Sequence, residues 1–222
     1  MLPMYPAAGS SCRDAITMLA AFAEVFLARE GHDGLIGINL LTKVQRPNMA
    51  AIYGAMLAGV QFLLMGAGIP RDIPAVLDAL VEHQPASMRL DVLGSAGEAP
   101  VQITLDPAQY WKTAPPRIDR PRFIPIVASN SLATLLATKL ADGIDGFVIE
   151  GPTAGGHNAP PRGTPTFNAR GEPLYGTRDV VDLAAVAALG LPFWVAGGAG
   201  HPDHLRAALA AGATGIQVGT LF

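Results

Sequence analysis

The stretch PFWVAGGAGHPDHLRAALAAGATGIQVGT, residues 192–220, spells out a strand, a glycine turn, a helix and a second strand. Its apolar run 192–198 closes on Gly197 and Gly198, with Gly200 just beyond. A helix is expected from His201 to Ala211, and GIQVGTLF (215–222) as the next strand. Apolar runs without polar alternation suit strands buried on both faces, the habit of parallel sheets with helical crossovers. Amides at a helix N-terminus, reinforced by the helix dipole, form an anion site, most often for phosphate. A lone Gly-Gly-x-Gly is equally a tight strand-to-helix turn. Two Gly-bearing strand ends one βα unit apart are more specific, because the loops after the last two strands of a (β/α)8 barrel commonly grip one phosphate together.

The same grammar extends toward the N-terminus. FIPIVAS (123–129) and DGFVIE (145–150) read as strands around a helix at 132–141, followed by a long loop from Gly151 to about Thr177 and a helix at 180–189. Further upstream, helices at 13–30, 47–58 and 70–83 alternate with strands GLIGINLL (34–41) and VQFLLMGA (60–67). MRLDV and VQITL flank the turn GSAGEAP and are expected to pair as a hairpin, within an insertion spanning 87–120. The class is therefore α/β. Six strand starts are visible, near 35, 61, 123, 146, 192 and 215. They fit either an open doubly wound sheet or a barrel cut at both ends. No linker is long enough to divide the chain, so residues 1–222 are expected to form a single domain.

Composition narrows the function. The chain has 222 residues, half of them apolar and 15 % charged, enough for a sizeable core. Fifteen basic side chains against 18 acidic ones lack the electrostatic footprint of a nucleic-acid binder. A single cysteine excludes an internal disulfide framework and a Cys-rich metal site. The longest apolar stretch, 16–28, is interrupted by Glu24 and too short to span a bilayer. A soluble, cytoplasmic protein is expected.

A second chemical segment, EGPTAGGHNAPPRG, runs from Glu150 to Gly163 directly after a strand. Gly155 and Gly156 let the backbone approach a ligand closely. His157 then offers an imidazole at the carboxyl end of the sheet, able to take a proton from a carbon acid. A surface loop with a locally bonded histidine is the alternative. His201, Asp203 and His204 flank a helix start without a third metal ligand, so capping and solvation are expected there.

Together, EGPTAGGH, AGGAG and QVGT resemble the nitronate monooxygenase (2-nitropropane dioxygenase) family of FMN-dependent TIM barrels, related to the flavin-dependent enoyl-acyl-carrier-protein reductases. GINLL and LLMGAGIP fit the same family. The resemblance implies that Asn39, Glu150, Gly155 and Gly156 line a flavin site. It implies that Gly197 and Gly198 cradle the FMN phosphate with Gln217, Val218, Gly219 and Thr220, and that His157 is the catalytic base. Family members carry two further βα units before the segment matching Leu35 and helices after Gly-Thr-x-Phe, so about six of eight units are expected here. The implied activity is oxidation of alkyl nitronates or nitroalkanes by molecular oxygen. An enoyl-thioester reductase using NAD(P)H, a non-redox phosphate-binding barrel and an inactive fragment are the rivals. Expected partners are the small substrate and oxygen, with no nucleic acid, no membrane and no metal; a homodimer is compatible.

Overall fold

A computed structural model describes residues 9–92, 101–113, 115–155 and 158–219. The chain forms two compact units, Met1–Phe123 and Ile124–Phe222.

In the first unit, α1 (Ser11–Ala28) starts at the N-cap Ser10, whose hydroxyl accepts from the Arg13 amide. Its buried stripe of Met18, Ala21 and Val25 packs on α2 (Gln45–Leu57), which is buried from Asn48 to Met56. The two helices touch at Gly54, where a β-carbon would stand 2.1 Å from the Met18 carbonyl oxygen. β1 (Gly37–Leu41), which lies between the two helices in sequence, pairs in parallel with β2 (Phe62–Gly66), Asn39 opposite Leu64. Helix α3 (Ile73–Val81) then leads into the expected hairpin. It consists of β3 (Ala86–Leu90) and β4 (Val101–Leu105), an antiparallel pair separate from the parallel strands. Ala86, Met88, Ile103 and Leu105 face inward from it, and α2 and α3 cover them. The hairpin's GSAGEAP turn lies outside the described residues. The unit closes where the amide of Arg122, first residue of β5 (Arg122–Val127), donates to the Gln61 carbonyl at 2.9 Å.

The second unit takes up β5 from Ile124 and adds β6 (Phe147–Glu150), β7 (Phe193–Ala196) and β8 (Gly215–Gln217) as parallel neighbours in chain order. The β5–β6 ladder starts at Ile126, just past Pro125, which has no N–H to give. Helices α4 (Asn130–Lys139), α5 (Leu183–Ala187) and α6 (Pro202–Ala210) connect the strands. Phe123, Phe147 and Phe193 are fully buried, as strands covered on both faces require. Each strand sits beside its predecessor without the reversal that a doubly wound sheet needs. The class is α/β and the order is that of a (β/α)8 barrel, with six parallel strands among the described residues.

Several boundaries move inward. The helix expected at 180–189 shortens to α5, because the Asp182 carboxylate accepts from the Ala184 and Ala185 amides and sets the start there. Strand β8 ends at Gln217; Val218 and Gly219 follow in irregular chain, and 220–222 lie outside the described residues.

Candidate functional site

Three strands end on one rung: Glu150 of β6 faces Ala196 of β7, and Ala196 faces Gln217 of β8. Past that rung the chain turns on glycines. Gly197 adopts φ +101°, and a β-carbon there would meet the Ala154 nitrogen at 3.0 Å and the Gly151 oxygen at 3.2 Å. The turn after β6 is thus wrapped directly over the end of β7. It is tied there by the Gly151 amide on the Ala196 carbonyl and the Thr153 hydroxyl on the Gly197 carbonyl, both at 3.0 Å.

The next residues lead into α6. His201 is its N-cap, its ring accepting from the Asp203 amide, in line with the capping expected from the sequence. His204 Nδ1 lies 2.8 Å from the Gly198 carbonyl. A carbonyl can only accept, so this nitrogen carries the proton. Among the described residues, no acceptor faces the amides of Gly198, Ala199 and Gly200. These N–H groups stand just before a nine-residue helix, where its dipole favours negative charge.

A recess of about 150 Å³ lies within this turn cluster, lined by Glu150, Gly155, Gly197, Gly198, Gln217, Val218 and Gly219. Seven of the site residues read from the sequence therefore share one cavity. Gln217 Oε1 is buried without a hydrogen-bond partner among the described residues. Such an orphan is costly unless something donates to it. Asn39 is placed differently: it belongs to the first unit, exposed in the middle of β1 rather than at its end. Gly156, His157 and Thr220 lie outside the described residues.

Glu150 also borders a second recess, of about 200 Å³, at the carboxyl ends of β5 and β6. Ala128, Leu132, Pro152 and Pro160 give it apolar walls, and Ser129, Asn158, Arg162, Tyr175 and Asp179 add polar groups. Asp179 is buried. Its Oδ2 accepts from the Gly176 amide at 2.7 Å and its Oδ1 from the Arg162 amide at 2.8 Å. These bonds, Gly176 first, hold the carboxyl below the usual carboxylate range against the desolvation that raises it. Arg162 in turn gives a guanidinium N–H to the Ala128 carbonyl at 2.6 Å. Sequence reading missed this group. Its only signal is an aspartate three residues after a glycine in GTRD (176–179), the spacing that lets a carboxylate reach back to an amide.

Among the described residues, no group of three or more His, Cys, Asp or Glu is placed to hold a metal, and no helix is long and apolar enough to cross a membrane.

Comparison with known proteins gives two matches. Residues 115–222 match the family model described as nitronate monooxygenase. Among solved structures, the chain is similar to FabK (M276A mutant) from Thermotoga maritima, at 19 % identity and a TM-score of 0.53. That match covers 95 % of this chain and 58 % of the FabK chain. No curated protein matches the sequence. The FabK likeness shows the fold, and the family match falls on the glycine turns, the shared recess and Asp179. From residue 115 to residue 222, this chain is similar to the nitronate monooxygenase family.

Proposed function

We propose that this chain serves a flavin-dependent oxidoreductase which holds FMN in the glycine recess and oxidises alkyl nitronates or nitroalkanes with molecular oxygen. The observation that carries the reading is the convergence of Glu150, Gly155, Gly197, Gly198, Gln217, Val218 and Gly219 on one recess. The residues present fit such a group. The amides of Gly198, Ala199 and Gly200, at the start of α6, suit a phosphate. Gln217 Oε1 needs a donor, which a phosphate dianion lacks and the ribityl hydroxyls of FMN possess. Thr220 extends the phosphate side by its place in the QVGT motif, and Asn39 and Gly156 are assigned to the flavin by the family resemblance alone.

Bound flavin supplies the redox chemistry, and the protein supplies position and proton handling. His157, two glycines beyond Ala154, is assigned the base that removes the proton next to the nitro group. Glu150 borders both recesses, so substrate in the larger one would lie beside the cradle.

An enoyl-thioester reductase using NAD(P)H is the second reading, favoured by the size and apolar walls of the larger recess, which suit an acyl chain. Reconstitution with FMN followed by two assays separates the readings: oxygen uptake with a nitronate against NAD(P)H consumption with an enoyl thioester. A protein that takes up no flavin refutes both and leaves a non-redox phosphate site. For the base, His157→Ala is expected to keep FMN and lose about 10²–10⁴-fold in turnover of neutral nitroalkanes. Turnover of the pre-ionised nitronate falls much less, and equal losses on both substrates remove the assignment. For the cradle, Gly198→Val places a side chain at φ +65° in the recess wall and is expected to abolish FMN binding. Gly197→Ala forces backbone against backbone and is expected to weaken FMN together with a stability loss of about 1–3 kcal/mol.

A further inference from the structure

The larger recess has one wall built from chain with no helix or strand of its own. From Gly151 to Gly176 the described residues form only turns and a single bridge between Phe167 and Pro173. Asn158, Arg162 and Tyr175 nevertheless line the recess. What fixes them is a small set of side-chain bonds to backbone. Asn158 donates to the Pro152 carbonyl at 2.9 Å, and the Tyr175 hydroxyl donates to the Ala159 carbonyl at 3.0 Å. Asp179 also reaches both arms of the loop, the outgoing arm at Arg162 and the returning arm at Gly176.

Both Asp179 oxygens are occupied by amides, and the side chain is buried. An acceptor committed in this way is poorly suited to carry protons to and from a substrate. It is well suited to hold a shape. The opposite wall, Ala128 and Leu132, stands on the end of β5 and the start of α4 and is rigid by comparison. The Arg162 guanidinium bridges the walls through the Ala128 carbonyl.

Resting on the oxidoreductase reading above, we propose that Asp179 is a positioning residue for substrate fit. By clamping the Arg162 and Gly176 amides it sets the width of the apolar recess beside the cradle, and so favours substrates that carry an alkyl or acyl chain on the reacting group. The clamp touches neither the glycine recess nor any reacting atom. Its loss therefore changes how chain-bearing substrates fit and leaves the chemical step alone.

The test uses the FMN-reconstituted protein and Asp179→Ala, with Asp179→Asn as the milder variant that keeps one acceptor oxygen. Amide exchange at Arg162 and Gly176 is expected to quicken by about 10-fold or more in Asp179→Ala, because an amide without its acceptor is protected only by burial. FMN affinity, read by flavin fluorescence quenching, is expected to stay within about 2-fold, since the ligands of the cradle are untouched. KM is expected to rise by about 10-fold for hexyl nitronate and under 2-fold for ethyl nitronate, with kcat held, the pattern of lost ground-state fit. If Asp179→Ala fails to fold, Asp179→Asn is expected to show the same chain-length trend at smaller size. Unchanged exchange at both amides overturns the clamp. Loss of FMN overturns its separation from the cradle. A fall in kcat independent of chain length overturns the role in fit. A wild-type protein inactive on nitronates and enoyl thioesters alike instead refutes the oxidoreductase reading, a distinct failure because it precedes any variant.

Discussion

Two excursions interrupt the regular βα series, and they are held by opposite means. The hairpin β3–β4 and the chain after it, up to residue 116, are secured by burial. Ala86, Met88, Ile103 and Leu105 alternate inward, and Ser87 and Thr104 pair across the strands at 2.8 Å on the outside. One polar chain adds to this: the Trp111 indole donates to the Tyr53 hydroxyl at 2.9 Å, and His83 links that hydroxyl to the Pro116 carbonyl through contacts of 2.7 and 2.8 Å. The loop 151–177 buries almost no apolar side chain; Phe167 and Leu174 are 61 % and 51 % exposed. It is secured by amides and carbonyls. Burial stabilises in proportion to area and tolerates small shifts, whereas a hydrogen bond between a side chain and one amide fixes a position. The first excursion is built to stay folded and the second to hold a shape beside a cavity.

This contrast can be broken at its strongest point first. Leu105→Ala leaves a cavity under the hairpin and is expected to cost about 2–5 kcal/mol in denaturant unfolding. A cost below 1 kcal/mol would mean that the hairpin is not held by its core. Tyr53→Phe removes the hydroxyl that joins Trp111 to His83, at an expected cost of about 0.5–1.5 kcal/mol because both partners keep access to water. Burial pushes the Tyr53 hydroxyl up from its ordinary value, against a lowering by Trp111. The sign follows: this contribution is intact below the ordinary tyrosine range and is lost as pH rises through the folded value. Thermal melts of wild type against Tyr53→Phe should therefore converge in alkali.

The loop answers to acid instead. Asp179 titrates below the usual carboxylate range, so its contribution is full above the unfolded value and disappears as pH falls through the folded one. Local exchange at Arg162 and Gly176 should quicken in that acid window while the hairpin amides stay protected. The smallest effect is Phe167→Ser, expected within about 0.5 kcal/mol of wild type because the side chain is already in water. A larger loss would show that the loop hides a core of its own.

The βα order and the hairpin were legible in the sequence because both are written locally, in apolar runs closed by glycine, proline or a capping residue. The rung of Glu150, Ala196 and Gln217 was legible only in part: Glu150 closes the strand expected at 145–150, whereas the strands expected at 192–198 and 215–222 run past Ala196 and Gln217. The second recess was not. Asp179 bonds an amide 17 positions away, and Arg162 a carbonyl 34 positions away, partners that no local pattern names. Asn39 shows the converse limit. Its motif is recognisable, but a strand that runs on to Leu41 leaves it in mid-ladder rather than at a turn.

The shared rung also sets how this molecule can change. Because side chains alternate along a strand, removing one residue upstream within β6 would draw Glu150 back into the place of Ile149 and turn the carboxylate to the opposite face. The same slip in β8 would draw Gln217 back into the place of Ile216. Insertions just beyond the rung leave the three strand ends where they are and alter only the turns. Variation in this architecture is thus channelled: length can drift in the loops, while the strands that aim Glu150 and Gln217 must keep their count to the residue.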